Sequence, residues 1–217
     1  MAFIDTVRPA WATGPVLAMY ERQQAHYGYV PNYAKVFSHR PEVLARWGRL
    51  LAEIKRNADE RRFELVTFVA AHELGYSACL LAHGKKLAAL IGRHRVLALL
   101  ERREAMVLPI PEVAMVRFAR AVARDASSVD EEQIKTLCDQ LGLSDAEIFD
   151  IAAIAAGRSF LAKLLDALGS APDVASMELE EDLRDALTIG RPICNEAPEF
   201  TQPQDATYTL QEVRKAQ

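Results

Sequence analysis

Cysteine is scarce in this chain: three among 217 residues, at Cys79, Cys138 and Cys194. An odd, widely spaced set is not a disulfide framework. In a reducing compartment each is expected as a free thiol. A long uncharged apolar run is also missing, so nothing reads as a membrane span. The start, Met1-Ala2-Phe3-Ile4-Asp5, has an acid where a signal peptide carries basic residues, and no apolar core follows it. The cytoplasm is therefore the expected compartment. An excess of positive charge is missing too. The 26 Lys and Arg against 30 Asp and Glu leave a net charge of -4, which argues against a nucleic-acid partner. The short basic clusters Arg93-His94-Arg95 and Arg102-Arg103 are interleaved with Leu or Glu and read as solvated helix faces. Strand-type alternation appears nowhere.

What is present is helix. Half the residues are hydrophobic, enough for a sizeable core in one or two domains. Pro15 suits a first helical position and predicts a short helix to about Gln24. A turn of helix over 32–38 precedes Pro41, which opens a helix to about Asn57 with Val43, Leu44, Trp47, Leu50, Leu51 and Ile54 at helical spacing. Further helices are predicted over 59–74, 77–91, 93–107, 111–124 and 130–141. Ser144, with Glu147 three residues on, has the spacing of a capping box. It opens a helix to about Leu168 that Gly157 could break. A last helix covers 178–188. The fold class is all-α, with a helical domain over 1–194 and an extended arm over 195–217. A neighbouring subunit is the expected docking partner of the arm. Glu64 and the apolar residues after it are echoed by Glu147 and its successors, which would make two pseudo-repeated helical halves. The second half would carry Ala162 and Asp166 where the first has Cys79 and His83.

The segment from Glu64 to Gly84 holds the candidate chemistry. As one helix, residues 72–83 would align His72, Tyr76, Cys79 and His83 on one stripe. If Gly75 breaks the helix, Ser77 becomes the N-cap of the next and Cys79 falls in its first turn. That position favours the thiolate. His83, one turn on, can serve as its base. His72, Cys79 and His83 have spacing that suits a metal, but the sequence offers no further ligand. Neither a metal nor another cofactor is expected.

The run from Glu64 through Tyr76-Ser77-Ala78-Cys79 to His83-Gly84 resembles the signature of the AhpD-like alkylhydroperoxidase and carboxymuconolactone decarboxylase family. That signature is a Glu, eleven residues, then Cys-x-x-Cys-x-x-x-His. Glu64, Cys79 and His83 occupy three of its four positions, and Tyr76 stands at the first cysteine. Tyr27-Gly28-Tyr29-Val30-Pro31, the stretch Leu141 to Ile148, and the stretch Leu187 to Pro192 resemble the longer, peroxidase-related members.

The resemblance implies an AhpD-like helical fold and a thiol-dependent hydroperoxidase. Cys79 would be the peroxidatic thiol, His83 its base and Glu64 the group that orients His83. Attack on a peroxide would leave Cys79 as sulfenic acid. With Tyr76 at the first cysteine no local disulfide can form, so an external thiol reductant is implied, unless Cys138 or Cys194 lies near. Tyr76 and His72 are the expected substrate-binding residues, and the substrate is a small hydroperoxide. Two alternatives stand beside this. One is a cofactor-free lyase acting on a small organic acid through Glu64, His83 and His72. The other is a non-catalytic helical oligomer with a degenerate redox site. A homo-oligomer is implied in each case, with the Leu87–Leu100 face as a candidate interface.

Overall fold

The computed structural model describes residues 2–201. Within them the chain is helical, with no β-strand and one isolated bridge between Val30 and Glu199. The α-helices are α1 (Gly14–Tyr27), α2 (Asn32–Val36), α3 (Pro41–Lys55), α4 (Glu60–Glu73), α5 (Ser77–Ile91), α6 (Arg93–Leu100), α7 (Glu104–Val107), α8 (Ile110–Asp125), α9 (Glu131–Leu141), α10 (Asp145–Ala167) and α11 (Glu181–Leu187).

Helix α4 is the centre. Every residue from Phe63 to Ala71 is buried, as suits a stretch that is apolar but for Glu64 and Thr67. Its neighbours are α5, α8 and α10. Asp59 caps its start by accepting the Arg62 N–H at 2.9 Å. Its end is a Schellman motif: the Gly75 N–H donates to the His72 carbonyl and the Tyr76 N–H to the Ala71 carbonyl. Gly75 sits at φ +66°, a conformation that favours glycine. The chain then reverses into α5, so two helices replace the single 72–83 stripe.

Three expectations are revised by tertiary contacts. The helix expected over 93–107 is interrupted at Arg102, which has φ +56°. There the Arg102 guanidinium reaches the buried Glu73 carboxylate at 2.7 Å. By contrast, Gly157 does not break α10, which runs unbroken for 23 residues. A Cβ on Gly157 would lie 2.9 Å from the Trp47 ring, so this glycine serves the α3–α10 packing. The Leu87–Leu100 face is largely spent inside the chain, with Leu87, Ile91, Val96 and Leu99 buried. Exposed apolar residues collect instead along α3 and α10, where Val43, Leu50, Phe149 and Phe160 line a groove of about 1020 Å³.

The echo between the two halves is built from different structure. Glu64 and Cys79 lie on two helices joined by a reversal, whereas Glu147 and Ala162 lie on one. Glu147 closes the capping box of α10 with Ser144 and is partly exposed.

Glu199 and Thr201, in the described start of the arm, contact their own chain. The Val30 N–H donates to the Glu199 carbonyl at 2.9 Å, Lys35 pairs with Glu199, and the Thr201 N–H donates to Gln24 Oε1 at 2.7 Å. The rest of the predicted arm, 202–217, lies outside the described residues.

Gly84 lets the C-terminal part close over α5. A Cβ there would lie 2.8 Å from both methyl carbons of the buried Leu187 and 3.3 Å from Phe68. Gly84→Val is therefore expected to destabilise the chain by about 1–3 kcal/mol, despite the better helix propensity. Urea denaturation measures this, and equal or higher stability would show that Leu187 can move aside.

Candidate functional site

Glu64 is one of two polar side chains on the buried stretch of α4 and is 0% exposed. A buried carboxylate needs partners. One oxygen, Oε2, lies 2.5 Å from His83 Nδ1 on α5. The other makes no hydrogen bond among the described residues and faces Lys86 Nζ at 4.0 Å. Burial pushes the Glu64 carboxyl up, but the His83 hydrogen bond and the His83, Lys86 and Lys55 charges outweigh it and hold it below the usual range. Glu64 is thus ionised, and it fixes the imidazole with its proton on Nδ1. That leaves Nε2 as a lone-pair acceptor with no hydrogen-bond partner among the described residues. Burial, acting against the Glu64 hydrogen bond, depresses His83 below the ordinary imidazole value. It is neutral at neutral pH and able to take a proton.

Cys79 is the third residue of α5, one turn before His83, and 6% exposed. Cβ atoms at this spacing sit about 5–6 Å apart. The first-turn position was expected to lower the thiol pKa. Burial reverses this and pushes the thiol up, opposed by the Arg158 guanidinium beside it. The cap also differs from expectation. Tyr76 is the N-cap residue of α5 and Ser77 is already helical. The Ser77 hydroxyl accepts the Gly190 N–H at 2.8 Å, which ties the chain after α11 to the head of α5. Tyr76 itself is buried, and burial together with the nearby Cys79, Asp166 and Asp173 keeps its phenol protonated.

Glu64, Tyr76, Cys79 and His83 are therefore brought together, and His72 is not. His72 ends α4 in a second cluster, where the Arg120 guanidinium lies 3.0 Å from His72 Nδ1 and 2.9 Å from Glu73 Oε1. Arg120 also donates to the Leu99 carbonyl at 2.8 Å. This network ties α4 to α6 and α8.

Burial, then the Arg120 and Arg102 charges, push His72 down to about 4. Its unfolded value is near 6.5, so the unfolded chain takes the proton first. Folding stability from His72 is full above the unfolded value and is lost as pH falls towards about 4. The ceiling is roughly 3 kcal/mol. Asp173, raised by burial to about 6, acts oppositely in the same window and masks part of the slope. The difference in stability between wild type and His72→Gln isolates the His72 contribution. It is expected to shrink by up to roughly 3 kcal/mol between about pH 7 and pH 4. An unchanged difference would mean that His72 is charged in the fold.

Sequence reading missed the cations and the ring around this site. Arg158 on α10 is 5% exposed. Its Cζ lies 5.5 Å from the centre of the Phe63 ring, and Lys55 Nζ lies 4.7 Å from it. Phe63 in turn meets the His83 ring at 6.2 Å. A signal for Arg158 existed: it shares the buried register of α10 with Ile151, Ile154, Ala155, Ala162 and Leu165. A charge on an apolar stripe marks a group held for a purpose other than solvation.

Comparison with solved structures agrees with this architecture. The alkylhydroperoxidase AhpD core of a peroxidase-related protein from Ralstonia eutropha JMP134 superposes with a TM-score of 0.64 at 17% identity, covering 88% of this chain and 98% of that one. The chain has the AhpD-like fold. A peroxidase-related protein from Silicibacter sp. TM1040 gives 0.66 at 19% identity, over 81% of this chain and 97% of its own. The debrominase Bmp8, as a cysteine-to-alanine variant in complex with 2,3,4-tribromopyrrole, gives 0.66 at 17% identity, over 86% of this chain and all of its own. No protein-family model matches the sequence, and no curated relative does. The AhpD-like scaffold is thus shared at the level of the backbone.

Proposed function

We propose that this AhpD-like chain is a thiol-dependent hydroperoxidase-like oxidoreductase with Cys79 as its single peroxidatic thiol. The observation that carries the reading is the buried Glu64–His83 hydrogen bond, which leaves His83 Nε2 as the free ring nitrogen one turn from Cys79. Because burial keeps the thiol protonated at rest, its proton leaves as the substrate is attacked. His83 Nε2 takes that proton while the sulfur bonds the terminal peroxide oxygen. The O–O bond breaks, and the departing alkoxide takes the proton back from His83. The products are an alcohol and Cys79 sulfenic acid. An external thiol condenses with the sulfenic acid and releases water. A second thiol then displaces Cys79 and leaves as the oxidised disulfide.

A second reading comes from the debrominase neighbour, whose cysteine-to-alanine variant holds a tribromopyrrole. The same sulfur would take bromine from a brominated heteroaromatic. The S–Br bond forms as C–Br breaks, and the ring carbon takes the proton from His83. External thiol would then release bromide and restore Cys79 at the expense of a disulfide.

The experiment is turnover of cumene hydroperoxide and, in parallel, of a bromopyrrole, with dithiothreitol as reductant. Saturable peroxide consumption above the rate with dithiothreitol alone supports the first reading. Bromide release without peroxide turnover supports the second. Neither reaction would count against both.

A further inference from the structure

Arg158 has no role in the steps above, and its surroundings are unusual for a buried cation. No carboxylate among the described residues pairs with it, although it is 5% exposed. Its Nε and Nη2 are buried and make no hydrogen bond to any of the described residues. A buried guanidinium without counter-charge is strongly unfavourable, so such a group is kept for something that arrives. Nε and Nη2 are the side-on fork of the guanidinium. In this same chain the corresponding fork of Arg61 grips both oxygens of Glu112 at 2.7 and 2.8 Å. The Arg158 fork offers the same two parallel donors, which match a carboxylate better than any single-point acceptor.

The fork belongs to the site of Cys79. The Arg158 charge acts on Cys79, His83 and Tyr76 alike. Phe63 supplies an apolar ring beside it. Lys55 and Lys86 add positive charge around the same residues. Of the nearby carboxylates, Glu64 is already engaged by His83, and Asp166 and Asp173, which act on Tyr76, are engaged by Arg191 and the Asn32 N–H. The local balance is open to an anion.

We infer that Arg158 is the carboxylate-binding residue of this site, so that the compound attacked by Cys79 is an organic acid carrying the reactive peroxide rather than a neutral hydroperoxide. The inference rests on the reading of Cys79 as nucleophile for its chemistry, but not for its anion binding. Guanidinium and carboxylate would pair side-on, with the Phe63 ring against the apolar part of the acid.

Charge-selective alkylation tests it. In a chain with Cys138→Ser and Cys194→Ser, Cys79 is treated with iodoacetate or iodoacetamide, and the product is followed by mass spectrometry. The iodoacetate-to-iodoacetamide rate ratio is expected to exceed that of a free cysteine by about tenfold. Arg158→Lys should keep part of that preference, and Arg158→Gln should abolish it. Benzoate should slow both reagents in wild type and neither in Arg158→Gln. A wild-type ratio equal to that of free cysteine overturns the inference, as does a ratio that survives Arg158→Gln. Should Arg158→Gln not fold, the wild-type ratio and Arg158→Lys decide. Should Cys79 react with neither reagent, the nucleophile reading fails, and calorimetric binding of benzoate decides the anion site. Binding that Arg158→Gln removes upholds it, and no binding to wild type overturns it.

Discussion

Changing Cys79 to Ser is expected to abolish hydroperoxide turnover, by a factor on the order of 10³ or more, with little loss of stability. A serine hydroxyl is a far weaker nucleophile than a thiol and has no accessible anion at neutral pH. It forms no sulfenic acid, so the cycle has nowhere to begin. The fold should tolerate the change. Ser is slightly smaller than Cys, and the Arg158 guanidinium beside residue 79 can donate to a hydroxyl oxygen. A cost of about 1 kcal/mol is expected from burying the more polar group. Steady-state turnover and urea denaturation separate the two effects. Retained activity in Cys79→Ser would point to acid–base chemistry by Glu64 and His83 without a covalent step.

Changing Glu64 to Gln is expected to lower the rate of Cys79 oxidation by a factor on the order of 10² to 10⁴. A carboxylate can only accept from His83, which sets the imidazole proton on Nδ1. A glutamine amide can also donate, which would turn the imidazole lone pair towards residue 64 and away from Cys79. The substitution also removes the negative charge that opposes the fall of His83 basicity. The His83 pKa should drop further, and the acid limb of the pH–rate profile should move with it. Burying an amide instead of a carboxylate relieves desolvation, so the melting temperature should not collapse. A pre-steady-state rate within a factor of about three of wild type would show that Glu64 serves the fold alone.

The helices were legible because their signals are local. Asp59, Asp130 and Ser144 cap where hydrogen-bonding side chains precede apolar periodicity, and Gly75 and Gly142 stop helices in the left-handed conformation. Glu64, Cys79 and His83 were legible as a signature within twenty residues, and α4 and α5 do bring the Glu and His into contact. The misread features depend on distant partners. Arg102 breaks a helix that its own neighbours favour, because Glu73 lies 29 residues away in sequence and next to it in space. His72 shares a stripe with Cys79 only if the chain stays straight, and Gly75 turns it. Gly157 looks like a break but makes room for Trp47. The thiol was expected to be acidified by its place in the helix, and burial decided otherwise. Arg158 enters from α10, about eighty residues beyond Cys79, where no short motif could point to it.

The most direct test of the central claim is trapping of the first intermediate. The chain with Cys138→Ser and Cys194→Ser is mixed with one equivalent of cumene hydroperoxide in the presence of dimedone, and its peptides are mapped by mass spectrometry. A peroxide-dependent dimedone adduct on Cys79, strongly diminished in His83→Gln, is the predicted result. A Cys79 thiol left reduced and unlabelled, under conditions that oxidise a free cysteine, would contradict the proposal that this AhpD-like site works through its buried thiol.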